Sequence, residues 1–207
     1  MPGITVDQAV SITRTGDLWL FRGSSGPDRA IRVLTNAPVN HVGVAVVIDD
    51  LPPMMWHAEL GRSLIDLWTG THHRGVQLHD LKAAVQRWSE VYHQRGWLRQ
   101  LHPEAGTDQE NAVLRTVARW NGTSFPTTTA LAWRWLRGRA HGVRALADRA
   151  QAEAAYCAEV AAVTLTEMGV LEAGRPSNWY DPGRFWSGDD LPLQPGWSYG
   201  TEIEVRD

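Results

Sequence analysis

Short apolar runs bounded by turn residues alternate along this chain with stretches of helical spacing, an order that predicts a mixed α+β fold. After a short helix near Val6 to Ile12, Gly16 to Gly23 is a bounded apolar run that reads as a strand, and Ser24-Ser25-Gly26-Pro27 breaks it. Asp28 to Thr35 reads as a helix. Val42 to Ile48 is a β-branched run ended by the turn residues Asp49 to Pro53, and Met54 to Ala58 follows as a second strand, so the pair predicts a hairpin. Gly75 to Leu78 reads as a strand leading into a helix at about Asp80 to Trp88, and Val91 to Leu98 as a further strand. Asp108 to Trp120 has helical spacing, with Thr107 as N-cap and Glu110 completing a capping box. Ala130 to Leu136 and Val143 to Ala154 read as helices rich in arginine and alanine, and Thr201 to Val205 alternates cleanly as a last strand.

The length of 207 residues fits a single domain, 1–207, with a helical insertion expected at about 127–152. One cysteine allows no intramolecular disulfide, which suits a reducing compartment. The N-terminus lacks the basic start and apolar stretch of a secretory signal, and no apolar run is long enough to span a bilayer. The expectation is a cytoplasmic protein, although export by an unconventional route stays open. A net charge of −3 gives no general attraction to nucleic acid, so none is expected as a partner. Eleven tryptophans are spread from Trp19 to Trp197; most are expected in the core, and some are candidates to line a cleft.

The candidate chemistry begins with Cys157, which opens the apolar run Tyr156 to Val163. A lone cysteine in an alanine-rich helix ordinarily packs as a small hydrophobe. At the first turn of a helix, however, unpaired N–H groups and the positive end of the dipole lower a thiol's pKa. The hairpin supplies a partner. If its strands pair about a turn centred near Asp49, His41 faces His57, close enough for an imidazole–imidazole hydrogen bond. A register slip or bulge would bring in Glu59 or Asn40 instead. In this reading His41 is the base for Cys157, His57 orients His41, and helix-terminal N–H groups stabilise the oxyanion.

Other groupings carry less. His57-Ala58-Glu59 resembles the H-x-E of zinc deaminases, which also need a cysteine pair that this chain lacks. His72-His73 with Asp66 and His79 has metal-ligand chemistry, but a solvated loop explains it better, and neither a metal nor another cofactor is expected. Arg134, Arg137, Arg139, Arg144 and Arg149, interrupted by Trp133 and Trp135, form a basic stretch that reads as a solvated helical face or a surface for an acidic partner. Arg175 to Pro182 reads as a loop over the cleft.

Gly16-Asp17-Leu18-Trp19-Leu20-Phe21-Arg22-Gly23, Asn40-His41-Val42-Gly43-Val44 and Tyr156-Cys157-Ala158-Glu159-Val160, in that order, resemble the circularly permuted branch of the NlpC-type papain-like superfamily. That branch holds the YiiX/YebB-like amidases and the lecithin:retinol acyltransferase-like proteins. The resemblance implies a permuted papain-like fold, an antiparallel sheet with packed helices and the nucleophile cysteine at the start of a helix. It implies Cys157 as nucleophile, His41 as general base and His57 as the orienting third residue, with Tyr156 a supporting neighbour. The stretch from roughly Trp133 to Gln151 has no counterpart in that pattern, and Ala158 stands where members often have serine. The expected function is a cysteine-dependent hydrolase of an amide, peptide or related acyl bond. An acyltransferase using the same triad and a non-catalytic binding module are the alternatives; substrate and oligomeric state stay open.

Overall fold

A computed structural model describes residues 3–24, 37–124 and 149–206, with the side chains of 149–155 left aside. The expected helix at 28–35, the helix at 130–136, Trp133, Trp135 and the arginines from 134 to 144 lie outside the described residues.

A seven-stranded sheet forms the framework. In chain order its strands are β1 (Ile4–Thr5), β2 (Leu18–Arg22), β3 (His41–Val46), β4 (Met54–Glu59), β5 (Gly75–Asp80), β6 (Arg95–Arg99) and β9 (Ile203–Arg206). Their spatial order is β1-β9-β6-β2-β3-β4-β5; β1 pairs parallel with β9 and every other pairing is antiparallel. A second, two-stranded sheet joins β7 (Leu101–His102) to β8 (Ser198–Tyr199).

Among the described residues, four α-helices cover the large sheet. α1 (Val6–Ile12) is capped by Thr5, whose hydroxyl accepts from Gln8 N–H while the Gln8 side chain accepts from Thr5 N–H. α2 (Leu81–Gln86) starts at Asp80, whose carboxylate accepts from Ala83 N–H, and continues into a π-helical turn at Arg87–Val91. α3 (Thr107–Trp120) begins one residue earlier than its sequence suggests. Gly106 is the N-cap and Gln109, not Glu110, reaches back to its N–H. α4 (Arg149–Glu167) is one continuous helix.

Because side chains in a strand alternate between faces, the strands sort their residues into two layers. Val42, Val44, Val46, Trp56, Ala58, Val76 and Leu78 face α3 and α4 in one apolar cluster; Trp19, Phe21, Ala45, Met55 and Leu98 face α1, α2 and Trp88 in the other. Each strand between β2 and β5 is thus buried on both sides, which is why these runs are apolar throughout instead of alternating. Asp17 joins the layers to the smaller sheet by accepting from the backbone N–H groups of Arg14 and Leu101. Burial pushes its carboxyl up to about 6 against those bonds. No helix among the described residues is long and apolar enough to cross a membrane.

Candidate active site

The odd-numbered residues of three neighbouring strands converge under α2 and its π-helical extension. β3 contributes His41, β4 His57 and Glu59, and β5 Gln77 and His79, all at most 2% exposed. Strand pairing sets His57 opposite Gln77 and Met55 opposite His79.

The β3–β4 register differs from the sequence reading. Val44 pairs with Trp56 and Ala45 with Met55, which centres the turn at Asp50 and, continued along the strand, sets Gly43 opposite His57. The longer Val47–Pro53 connection, with Asp49 at φ 45°, accounts for the two-residue shift. A shift of two preserves the face of every side chain. His41 and His57 therefore still meet, diagonally, and Gly43 leaves space for the lean: a β-carbon there would lie 3.4 Å from that of His57.

The side chains form one continuous line. His41 Nε2 lies 3.0 Å from His57 Nδ1, His57 Nε2 lies 2.9 Å from His79 Nδ1, and His79 Nε2 lies 3.1 Å from Gln77 Oε1. The Gln77 amide nitrogen donates to the carbonyls of Glu59 and Gly75, so its oxygen is the end that accepts. That orientation dictates the rest. His79 must carry hydrogen on Nε2 and accept on Nδ1, His57 must then donate from Nε2 and accept on Nδ1, and His41 must donate from Nε2. His41 Nδ1 is left as a bare lone pair, buried and without a hydrogen-bond partner.

The surroundings keep these rings neutral. Burial lowers His41 to about 3; burial, then the neighbouring His79 and His41, holds His57 well below its ordinary value. His79 falls to about 4 through burial, opposed by the charge of Asp66. The Trp88 ring lies over His41 with centroids 3.9 Å apart. Glu59 Oε1 accepts from the Tyr92 hydroxyl at 2.9 Å, and burial raises the Glu59 carboxyl in spite of that bond. Its other oxygen, Oε2, lies 3.6 Å from His79 Nδ1 and 3.9 Å from His57 Nε2.

Cys157 lies elsewhere in the layering. It does not open a helix: it is preceded by two turns of α4, which begins at Arg149, so the N-terminal dipole and its free N–H groups are remote from the thiol. The side chain is fully buried in the apolar cluster between α4 and the sheet, together with Tyr156 and Ala158. Thr164, two turns further on, accepts from the Trp56 indole N–H at 3.1 Å, and Met168 then reaches Gly16, which bonds to Ala45. The thiol thus packs in the layer of α3 and α4, whereas His41 lies against Phe21 and Trp88 in the other layer.

The remaining expected residues have local partners. Asn40 Oδ1 accepts from Gly23 N–H at 2.6 Å, closing the mouth of the β2–β3 connection. The group weighed as a metal site separates. His73 Nε2 meets Asp66 Oδ2 at 3.1 Å, His72 bonds the Arg62 carbonyl, and His79 belongs to the imidazole line. Asp66 instead ties together the loop before β5, accepting from Leu78 N–H, from Thr69 and from Asn121, with its carboxyl lowered to about 2 by these bonds against the opposing effect of burial. A different set of donors converges: His57, Glu59 and His79, each offering one atom to a common space. Sequence reasoning missed Gln77 and the part played by His79. Their only signal is odd-number parity on the strand beside β4, which becomes readable once that pairing is known.

No protein-family model matches the sequence, and no curated protein does. The likeness that emerges is one of fold, to a class of α+β proteins known from a solved structure. That structure is the metalloprotein YiiX of Escherichia coli O157:H7, DUF1105, at 16% identity and a TM-score of 0.51, covering 91% of this chain and 97% of that one.

Proposed function

We propose that this protein is a thiol hydrolase of an amide, peptide or related acyl bond, on the permuted papain-like plan, with Cys157 as nucleophile, His41 as general base and His57 as its orienting partner. The observation that carries this reading is the buried, unpartnered lone pair at His41 Nδ1. A chain of hydrogen bonds running back to Gln77 fixes that atom as an acceptor, the role a general base needs.

The mechanism follows from the protonation states. An imidazole neutral down to about pH 3 is not the cation of a resting ion pair at neutral pH, so proton transfer belongs to the attack itself. His41 Nδ1 takes the Cys157 proton as sulfur bonds to the carbonyl carbon, and the cation that forms is shared through Nε2 with His57. The leaving amine or alcohol then takes that proton from Nδ1, giving a thioester on Cys157. Water, deprotonated by the same atom, breaks the thioester and frees the thiol. Because Cys157 is buried in the other layer, this step requires the thiol to move to Nδ1. A different acceptor in the second half-reaction would make the same site an acyltransferase.

Acyl-adduct formation tests the reading. With p-nitrophenyl acetate, intact mass should show one acetyl group on Cys157 in the wild type. None should appear in Cys157→Ala, and the rate should fall at least about 100-fold in His41→Ala, the scale of a lost general base. Equal acylation of the wild type and His41→Ala would sink it. Adding hydroxylamine then separates hydrolysis from transfer by how the adduct partitions.

A further inference from the structure

We propose that His57, Glu59 and His79 form a binding site for one divalent cation of the zinc class, and that its occupation reverses the tautomer of His41. His57 Nε2, His79 Nδ1 and Glu59 Oε2 stand 2.9, 3.6 and 3.9 Å apart. The point equidistant from the three lies about 2.0 Å from each, the length of a zinc–imidazole or zinc–carboxylate bond. Their mean spacing is also close to the roughly 3.3 Å that two ligands of a tetrahedral zinc ion keep between them.

The outer partners point the same way. A metal-bound imidazole ordinarily uses its second nitrogen to donate to a fixed acceptor, and a bound carboxylate is itself hydrogen-bonded. Here His79 Nε2 donates to Gln77 Oε1, His57 Nδ1 faces His41 Nε2, and Glu59 Oε1 accepts from Tyr92. Each would-be ligand is thus held by a group outside the cluster.

The cation and the proton between His57 and His79 compete for the same lone pairs. In the free protein all three rings carry hydrogen on Nε2. With a cation on His57 Nε2 and His79 Nδ1, the hydrogen of His57 moves to Nδ1 and donates to His41 Nε2. His41 in turn carries its hydrogen on Nδ1. The rings stay neutral and the number of protons is unchanged. His41 Nδ1 is then a donor that takes no proton from Cys157, so the loaded protein is held inactive. This consequence for catalysis rests on the thiol reading; the cation site does not.

The experiment uses the full chain with Cys157→Ala, which removes the thiol as a competing ligand. Titration with Co²⁺ should give tetrahedral ligand-field bands saturating at one ion per chain. Gln77→Leu in that background should weaken uptake by roughly 10–100-fold, as loss of an outer partner does, and His79→Ala should abolish the bands while circular dichroism shows the fold retained. In the Cys157→Ala protein itself, ¹⁵N-resolved imidazole spectra should show His41 and His57 changing from the Nε2–H to the Nδ1–H form on adding Zn²⁺, with His79 unchanged. No stoichiometric uptake, or uptake undiminished by His79→Ala, overturns the site. Uptake without a tautomer change at His41 overturns the switch. Stoichiometric uptake beside a wild type that never acylates even after chelation with EDTA supports the site and sinks the thiol reading instead.

Discussion

Gln77 acts at the scale of a single atom, because an amide oxygen has no choice of role. Its nitrogen is committed to two backbone carbonyls, so the direction of every hydrogen bond from His79 to His41 follows from the way one side chain is turned. Replacing it with leucine leaves His79 Nε2 without a partner at a buried position, at a cost of roughly 1–3 kcal/mol. It also releases the constraint on the rings. Gln77→Leu should lower the urea midpoint accordingly and give mixed His41 tautomers in ¹⁵N spectra; a variant with wild-type stability and a single Nε2–H form would contradict the assignment. At this scale the sequence was half legible. His41 and His57 follow from a hairpin, which is a local pattern, whereas Gln77 and His79 join through a pairing across the whole 60–74 connection that nothing local encodes.

Among the elements, the strands were the most readable, since apolar runs ending in Gly, Pro and Asp are strong local signals. Their register was less so: the Asp49–Pro53 turn admits more than one centre, and a two-residue shift leaves the hydrophobic pattern unchanged. The helix holding Cys157 starts earlier than the apolar run within it. From Arg149 to Glu167 nearly every residue favours a helix, and no Ser, Thr, Asp or Asn stands before Tyr156 to begin a new one. The absent cap is the local sign that the helix runs through, whereas the apolar run from Tyr156 suggests a start there. The connection between β4 and β5 depends on Asp66, whose carboxylate serves the loop, β5 and the end of α3 at once. Asp66→Ala strands several donors, of which Leu78 N–H is buried, and should cost roughly 2–4 kcal/mol in chemical denaturation. A change below about 0.5 kcal/mol, the ordinary range for a surface position, would refute that role.

For the whole molecule, the layers impose a direction on acid stability. His41 and His79 are held at about 3 and about 4, below the ordinary 6.5, so between those values the unfolded chain binds protons that the folded one does not. Their contribution is complete above about pH 6.5 and is lost as pH falls through 4 and 3. Asp17 works the other way. Raised to about 6 from 3.8, it favours the folded state increasingly as pH drops through that interval and offsets part of the loss. His57 is lowered too and adds to the loss, while Glu59, raised by burial, joins Asp17 in opposing it. With three histidines against two carboxyls, the melting temperature should decline from pH 7 to pH 4, and a thermal series with a flat or rising midpoint over that range would refute this balance.

Trp88, whose ring covers His41 at a centroid distance of 3.9 Å, gives the molecule an optical witness to its own chemistry. An imidazolium against an indole face is both stabilised by the ring and a quencher of its emission. The transient cation would therefore announce itself as a dip in fluorescence, isolated from the other tryptophans by subtracting the trace of Trp88→Phe. The same stacking that keeps water from the base makes each proton it accepts visible as lost light.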